Sequence, residues 1–234
     1  MKIAIMGAMP EEIAPILEKF DSYKTTKYAA NKYYEVNYKG VDLVIAYSKI
    51  GKVFSTLTAA SLIEHFGCDT LLFSGVAGAI SPDLKVGDLV IATKLAQHDL
   101  DITAFGHPHG YVPEGSVFVE ADKELLEIGK TVAFEMTKKV TEGTIATGCQ
   151  FIADEDKKNW IGEIFGADAL EMEGASVAVV CDALDVPFFI LRAISDAADM
   201  DASFSFDEFL ETSAVESATF IMKMVDKLVI ENVG

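Results

Sequence analysis

The chain has 234 residues, half of them hydrophobic, and a formal net charge of −18 at pH 7. It can bury a large core and most simply forms a single domain over residues 1–234. The charge excludes nucleic acid as a partner, because a polyanion would be repelled. No apolar run approaches the roughly 18 residues of a membrane span, so we expect no membrane association.

The basic and sulfur-containing residues narrow the class of protein further. The sequence contains one arginine, Arg192, so a guanidinium clamp on phosphate can exist at one place at most. Its three cysteines, Cys68, Cys149 and Cys181, lie far apart and show no CxxC spacing. They predict reduced thiols in a cytoplasmic protein and no metal site. The N-terminal apolar run, Met1–Gly7, is too short for a signal peptide.

Apolar strand-like runs alternate with segments of helical periodicity from end to end. In chain order, the pattern predicts a strand over Lys2–Gly7, a helix over Pro10–Phe20, a hairpin of Lys32–Tyr38 and Val41–Ser48, a helix over Lys52–Phe66, strands over Thr70–Val76 and Asp88–Ala96, a helix over Ala121–Met136, a strand over Thr144–Phe151, helices over Lys157–Ile164 and Gly174–Leu184, and a last helix from Ser205. Two further apolar runs, within Ala169–Gly174 and Phe189–Asp196, are typical of buried strands. The alternation predicts an α/β fold, a three-layer α/β/α sandwich around a central twisted mixed sheet. In such a sheet the ligand lies beyond the carboxyl ends of the strands.

Three local signals refine these elements. In the second predicted helix, Val53, Leu57 and Ala60 fall in helical register. The strand before Gly75–Gly78 is expected to open into a small-residue turn there. The last helix begins with a capping box, and the apolar face that follows is expected to pack on the core.

The most informative feature is a pair of apolar runs that end in acidic residues, Glu171 and Glu173 in one and Asp196 in the other. A carboxylate at the end of a buried strand is expensive to desolvate, so such groups usually serve a function. Together they predict a cleft that sets negative charge against an apolar wall, suited to a neutral or cationic ligand. Desolvation is expected to raise the pKa of Asp196, so that it holds a proton near neutral pH. Asp199, by contrast, fits a helix cap.

Further clusters follow other predicted strands. Glu11 and Glu12 lie in the first turn of a helix whose first position suits Pro10, and the helix dipole there favours ionised carboxylates. They are either ordinary helix-start residues or include a base held at the mouth of the cleft. Phe151, at the end of another strand, is either a core aromatic or a ring that contacts a ligand. The glycines of Gly75–Gly78 match no nucleotide-phosphate motif and suit close approach to a sugar or base.

These clusters, in this order, resemble the methylthioadenosine/S-adenosylhomocysteine nucleosidases, members of the nucleoside phosphorylase superfamily. The resemblance covers essentially the whole chain and rests on Gly7-Ala-Met, Glu11-Glu12, Ser48-Lys-Ile-Gly-Lys52, Gly75-Val-Ala-Gly78, Asp101-Ile-Thr-Ala-Phe-Gly106, Phe151-Ile152, Glu171-Met-Glu173, Arg192-Ala-Ile-Ser-Asp196 and Ser205-Phe-Asp-Glu-Phe209. Within the family, the segments 46–53, 74–78 and 97–101 resemble a subgroup that also hydrolyses 6-amino-6-deoxyfutalosine, in the futalosine route to menaquinone.

The resemblance implies a nucleoside phosphorylase-like fold and an enzyme that hydrolyses the N-glycosidic bond of 5′-modified adenine nucleosides. It implies that Glu12 is the base that activates water, and that Asp196, supported by Ser195, is the acid that protonates adenine N7. The implied substrate-binding residues are Met9, Ile50, Gly78, Phe151, Ile152, Glu171, Met172, Glu173, Ser195 and Phe206. The family forms homodimers, in which the neighbouring subunit would contribute Ile102, Phe105 and Pro113. No metal or organic cofactor is implied.

The sequence departs from the family pattern at two positions and leaves alternatives open. Many members have Ser at the position of Val76 and Asp at the position of Cys149, which puts substrate preference in doubt. One alternative is a phosphorylase that uses phosphate in place of water, which a single arginine disfavours. Another is a non-catalytic nucleoside sensor, against which the pair of Glu12 and Asp196 argues, since binding alone needs no proton donor. The preferred substrate among methylthioadenosine, S-adenosylhomocysteine and aminodeoxyfutalosine stays open.

Overall fold

The structure, a computed structural model, describes residues 1–198 and 202–233, with side chains up to 198 and over 209–230. Its strands are β1 (Lys2–Gly7), β2 (Lys24–Tyr28), β3 (Asn31–Tyr38), β4 (Val41–Tyr47), β5 (Thr70–Ala79), β6 (Leu89–Gln97), β7 (Phe118–Glu120), β8 (Val140–Thr147), β9 (Ala169–Glu171) and β10 (Phe188–Asp196). Its helices are α1 (Pro10–Leu17), α2 (Lys52–Ala60), α3 (Lys123–Glu135), α4 (Glu155–Phe165), α5 (Gly174–Ala183) and α6 (Ala202–Val233). No helix in the described ranges is long and apolar enough to cross a membrane.

All of these strands belong to one mixed sheet, which confirms that part of the predicted fold. Its order is β2-β3-β4-β1-β5, and beyond β5 it closes on itself through β10, β6, β8 and β9. Parallel pairs join β1 to β4 and β5, β5 to β10, β6 to β8, and β8 to β9. The pairs β2–β3, β3–β4, β5–β9, β6–β7 and β6–β10 are antiparallel. The closure was not predicted, because it depends on pairing between strands that are far apart in the chain.

The sheet lies between two helical layers, as the predicted α/β/α sandwich requires. Successive residues of β1 pack on opposite faces of the sheet, since the side chains of a strand alternate in direction. Ala4 and Met6 pack in a cluster with residues of α2 and α5. Ile3 and Ile5 pack in a second cluster with residues of α1, α3 and α6. A smaller cluster holds α4 against the ends of β6, β8 and β9.

Several boundaries differ from the prediction. β5 runs straight through Gly75–Gly78, where a turn was predicted. β8 ends at Thr147 rather than Phe151, which leaves the aromatic ring on a loop. The short strands β2 and β7 carried no clear apolar alternation and were missed. α6 begins at Ala202, so Ser205 lies inside the helix rather than at its start. Asp199, predicted as a cap, lies outside the described residues.

The apolar register of α2 exists but does not face the core. Val53 and Leu57 are 77% and 42% exposed, whereas the buried residues of α2 are Ser55, Thr58 and Ala59. Helical periodicity identifies an apolar face without saying what covers it. The prediction for the last helix agrees better with the structure. On its predicted inward face Ala214, Ser217, Ile221, Met224 and Leu228 are buried, and Leu210 is half-buried.

Candidate active site

A cavity of about 570 Å³ opens at the carboxyl ends of β1, β4, β8, β9 and β10, beside the last residues of β5. This is the position that a largely parallel sheet favours for a ligand. The cavity is lined by Ala8, Met9, Glu12, Ile50, Val76, Ala77, Gly78, Gln150, Phe151, Ile152, Leu170, Glu171, Met172, Glu173, Ser195 and Asp196.

A break in strand pairing admits Glu12 into the sheet. On one edge of β5, β1 pairs as far as Phe73 and β9 joins only at Gly78, while β10 occupies the opposite edge. In this interval the backbone N–H of Val76 donates to Glu12 Oε1 at 3.2 Å. Glu12 Oε2 accepts the N–H groups of Ala8 at 2.5 Å and Met9 at 3.0 Å. Three backbone donors therefore fix this carboxylate at the base of the cavity.

Burial decides the protonation behaviour of Glu12. Its side chain sits in the first turn of α1, after Pro10 at the first helical position, as predicted. Burial raises the pKa of Glu12 above its ordinary value, and the charge of Arg192 and the N–H donors offset this only in part. Desolvation therefore opposes the preference of the helix start for an ionised carboxylate.

Glu171 and Arg192 form a fully buried ion pair beneath the cavity. Arg192 Nη2 donates to Glu171 Oε2 at 2.7 Å, and the guanidinium lies 4.0 Å from the centre of the Phe73 ring. Glu171 also accepts the Thr147 hydroxyl at 2.5 Å and the N–H of Gly174 at 2.7 Å. Both oxygens of Glu171 are thus bonded to the protein. Glu171 was predicted to bind substrate, and the structure shows that it also holds the site together.

Glu173 is less heavily bonded than its neighbour. Its Oε1 accepts the N–H of Gly51 at 2.7 Å. Burial and the nearby charge of Glu171 raise the pKa of Glu173 to about 8. Glu173 therefore carries a proton for much of the neutral pH range and can both donate and accept hydrogen bonds in the cavity.

Asp196 ends β10 on the side of the cavity that Gly78 lines. Ser195 Oγ donates to its Oδ2 at 2.8 Å, and the N–H of Ala198 donates to its Oδ1 at 2.8 Å. The side chain is buried. A Cβ on Gly78 would lie 2.8 Å from Asp196 Oδ1, and a Cβ on Gly75 would lie 2.9 Å from Glu12 Oε1. These glycines are therefore required by the close approach of two carboxylates rather than by a turn.

The loop after β8 supplies the aromatic side of the cavity. Ile152 is buried, whereas Phe151 is half exposed and lines the cavity. The core interpretation of Phe151 is therefore wrong, because the strand ends four residues before it and leaves the ring at the cavity mouth.

The cavity brings together all members of the predicted in-chain site whose side chains are described. Phe206 lies among the residues whose side chains are not described. The prediction missed Ala8, Val76, Ala77, Gln150 and Leu170 as lining residues. These positions flank predicted ones along the same strands and loops, and Ala8, Val76 and Ala77 lie within motifs that carry the family resemblance, so both signals could have found them.

The three residues assigned to a neighbouring subunit lie away from this chain's cavity lining. Ile102 precedes a short 3₁₀ turn, Thr103–Phe105, in which Phe105 is 81% exposed. Pro113 is also exposed. A ring this exposed on an ordered turn leaves a large apolar area uncovered.

Comparisons with known proteins agree with this geometry. Residues 2–229 match the family described as the phosphorylase superfamily. The aminodeoxyfutalosine nucleosidase of Campylobacter jejuni is 59% identical over 228 residues, which cover 97% of this chain and all of that protein. The native structure of futalosine hydrolase from Helicobacter pylori matches with a TM-score of 0.96 at 48% identity, covering 97% of this chain and 98% of that one.

A third match adds a ligand to the comparison. The crystal structure of 5′-methylthioadenosine/S-adenosylhomocysteine nucleosidase from Helicobacter pylori with butyl-thio-DADMe-Immucillin-A has a TM-score of 0.95 at 48% identity, and covers 97% of this chain and 98% of that one. In each of these comparisons the similarity extends over 97% of this chain. The chain therefore belongs to the phosphorylase superfamily and, within it, to the family of 5′-methylthioadenosine/S-adenosylhomocysteine and aminodeoxyfutalosine nucleosidases.

Proposed function

We propose that this protein hydrolyses the N-glycosidic bond of 5′-modified adenine nucleosides and releases adenine and the 5′-modified ribose. The observation that carries the proposal is the pair of buried carboxylates, Glu12 at the start of α1 and Asp196 at the end of β10, that line one cavity. Adenine leaves readily only when it is protonated, so the reaction needs an acid on the base side and a base on the water side.

Each of these groups has a distinct part in the mechanism. Asp196, held by Ser195 and the Ala198 N–H, delivers a proton to N7 of adenine as the bond breaks. Glu12, which three backbone N–H groups hold at the base of the cavity, accepts a proton from the attacking water. Positive charge that develops on the ribosyl ring is stabilised by the acidic cavity. Glu173 binds the ribose hydroxyls, and Phe151 stacks on the base.

Water rather than phosphate is the nucleophile in this scheme. A phosphate dianion needs cationic donors. Arg192 is 1% exposed, bonded to Glu171 and not part of the cavity lining, so its guanidinium is not presented to an anion in the cavity. The described lining of the cavity contains four carboxylates and neither lysine nor arginine.

The substrates that we propose are methylthioadenosine, S-adenosylhomocysteine, 5′-deoxyadenosine and 6-amino-6-deoxyfutalosine. The 59% identity to an aminodeoxyfutalosine nucleosidase supports the last of these. The protein would then act in methionine salvage and in menaquinone biosynthesis. Its three cysteines are unpaired, which supports a cytoplasmic location.

The test is adenine release by purified protein in buffer from which phosphate has been removed. We expect turnover without phosphate, and specificity constants for the candidate nucleosides will rank them. Asp196→Asn is expected to retain nucleoside binding, measured by calorimetry, and to lose turnover. Strict dependence on phosphate would establish a phosphorylase instead, and binding without turnover by the unmodified protein would establish a sensor.

We also propose that the protein is a homodimer whose partner covers the exposed apolar face of α2. This face comprises Val53, Phe54 and Leu57, which are 41–77% exposed and begin three residues after the cavity residue Ile50. From a second copy, Ile102, Phe105 and Pro113 would cover the 5′ substituent of the ligand. Leu57→Asp is expected to yield monomers in analytical ultracentrifugation and to raise KM. An unmodified protein that sediments as a monomer at micromolar concentration would contradict this assembly.

A further inference from the structure

A polar cluster outside the cavity lining joins two of the elements that form its rim. Lys52 Nζ donates to Asp99 Oδ1 at 2.5 Å and to Gln97 Oε1 at 3.2 Å. Asp99 Oδ2 accepts the backbone N–H of Cys149 at 2.8 Å. The Cys149 sulfur in turn accepts the backbone N–H of Lys52 at 3.3 Å. We refer to Lys52, Asp99 and Cys149 as the rim brace.

The brace connects residues that are adjacent to opposite sides of the cavity. Lys52 follows Ile50, which lines the cavity, and Gly51, whose N–H donates to Glu173. Cys149 begins the loop that places Phe151 at the cavity mouth. The carboxylate of Asp99 therefore bonds at once to the start of α2 and to the aromatic loop, through one oxygen each.

The placement of Lys52 is hard to explain by the stability of α2. Lys52 is the first residue of this helix, where a positive charge opposes the helix dipole. Neither an acidic residue in the first turn nor a side-chain cap compensates for it. The cation is instead matched by Asp99, and both side chains are only about one-fifth exposed.

The electrostatics of Asp99 agree with this pairing. Burial acts to raise the pKa of Asp99, but the hydrogen bonds from Lys52 and from the Cys149 backbone outweigh it and lower the pKa overall. Asp99 is therefore ionised across the neutral range, and its bond to Lys52 joins segments that are 47 residues apart in the chain. A fully exposed ion pair would contribute little to stability, whereas this pair is largely shielded from solvent.

We infer that Asp99 and Lys52 are positioning residues. They set the distance between Phe151 and the opposite side of the cavity, which Ile50 and Glu173 line. This inference rests on the proposed function, since these are the sides that hold the base and the sugar. Neither residue touches the reacting atoms, so their loss acts on the fit of the nucleoside rather than on proton transfer. Misplacement of binding groups by about 1 Å lowers catalytic efficiency on the order of 100-fold.

The kinetic test compares Asp99→Asn, Lys52→Met and the double variant. Asn keeps an oxygen for the Cys149 N–H but loses the charge that pairs with Lys52. We expect KM for methylthioadenosine to rise about 10- to 100-fold in each single variant, with kcat changed by less than about threefold. The double variant should equal the single ones, because the two residues act as one unit. Lys52→Arg keeps the positive charge and should have a KM close to that of the wild type, unlike Lys52→Met. A general loss of stability would not predict this difference.

Cys149 provides a local readout of the same loop. Cys68 and Cys181 are buried, and burial raises the pKa of each thiol to about 12, whereas Cys149 is exposed. Ellman's reagent should therefore react with Cys149 first. We expect its rate to rise several-fold in Asp99→Asn and to stay unchanged in Lys24→Met, which breaks the exposed Lys24–Glu35 pair instead.

The outcomes separate this inference from the proposed function. Wild-type KM and thiol rate in a folded Asp99→Asn variant, with folding checked by thermal melting, would overturn the brace and leave the hydrolase intact. An unmodified protein that releases no adenine would overturn the hydrolase, while the thiol rates would still decide whether the brace orders the loop. A Lys52→Arg variant whose KM rises as much as that of Lys52→Met would also count against the brace.

Discussion

Replacing Glu173 by Gln is expected to make the protein more stable and less active. The carboxamide is nearly the same size, and its oxygen can still accept the Gly51 N–H that now bonds at 2.7 Å. The change removes a carboxylate whose pKa is raised to about 8 by burial and by the charge of Glu171. The folded protein must either desolvate this charge or bind a proton, and Gln requires neither.

The size of the effect follows from proton linkage. With a pKa of 4.5 in the unfolded chain and about 8 in the folded one, the folded state binds the extra proton between these values. The stability from Glu173 is therefore complete below pH 4.5 and is lost as the pH rises through 8. The slope is about 1.4 kcal/mol per pH unit, so the loss reaches about 3 kcal/mol by pH 7. Since 1 kcal/mol shifts Tm by roughly 2–4 °C at this chain length, Gln should raise Tm by roughly 6–12 °C.

Thermal melting of the two proteins between pH 5 and pH 8 measures this difference. We expect the variant to gain little at pH 5 and progressively more toward pH 8. Its kcat/KM should fall about 10- to 100-fold, because the amide cannot reproduce the hydrogen bonds of the carboxyl group and leaves a buried polar group of the site without its partner. A variant that melts at or below wild type at pH 7.5, or a gain that does not change with pH, would refute the reasoning.

Glu171→Gln is the matched control, two residues away and equally buried. Glu171 is paired with Arg192, so neutralising it leaves a buried guanidinium without its partner. That loss should destabilise the protein by about 3–5 kcal/mol. The same chemical change is thus expected to have opposite signs at neighbouring positions, because only one of the two carboxylates has a counterion bonded to it.

Three further changes test other parts of the structure. Glu12→Gln should lower kcat about 10²- to 10⁴-fold with nucleoside binding retained by calorimetry, and near-normal kcat would remove Glu12 from the role of base. Gly75→Ala places a Cβ 2.9 Å from Glu12 Oε1, so kcat/KM should fall on the order of 100-fold; an active variant would show that the carboxylate can move freely. Gly129→Ala places a Cβ 2.5 Å from the ring of Phe189 inside α3, and urea unfolding should show a loss of about 1–3 kcal/mol despite the better helix propensity of Ala. Unchanged stability there would mean that the ring repacks.

The sequence by itself determined the fold class and the positions of the acidic groups. Apolar runs and helical periodicity are local properties, and they predicted the alternation of strands and helices with errors mainly at the ends. The acidic ends of β9 and β10 were visible because a carboxylate after a buried run is unusual in any context. Glu12 was visible for a similar reason, since Pro10 marks a helix start immediately after a strand. These signals need only a few neighbouring residues.

The tertiary structure decided what these groups can do. The pKa of Glu12 depends on desolvation by burial and on the charge of Arg192, 180 residues away in the chain, so the helix start alone does not determine it. The sequence predicts a turn at Gly75 and Gly78, because the carboxylates that contact these glycines come from other elements and are not visible in the local pattern. The apolar face of α2 was visible, but periodicity does not distinguish a face that packs on the core from one left exposed. Burial and charge are summed over all neighbours in space, and only the fold determines those neighbours.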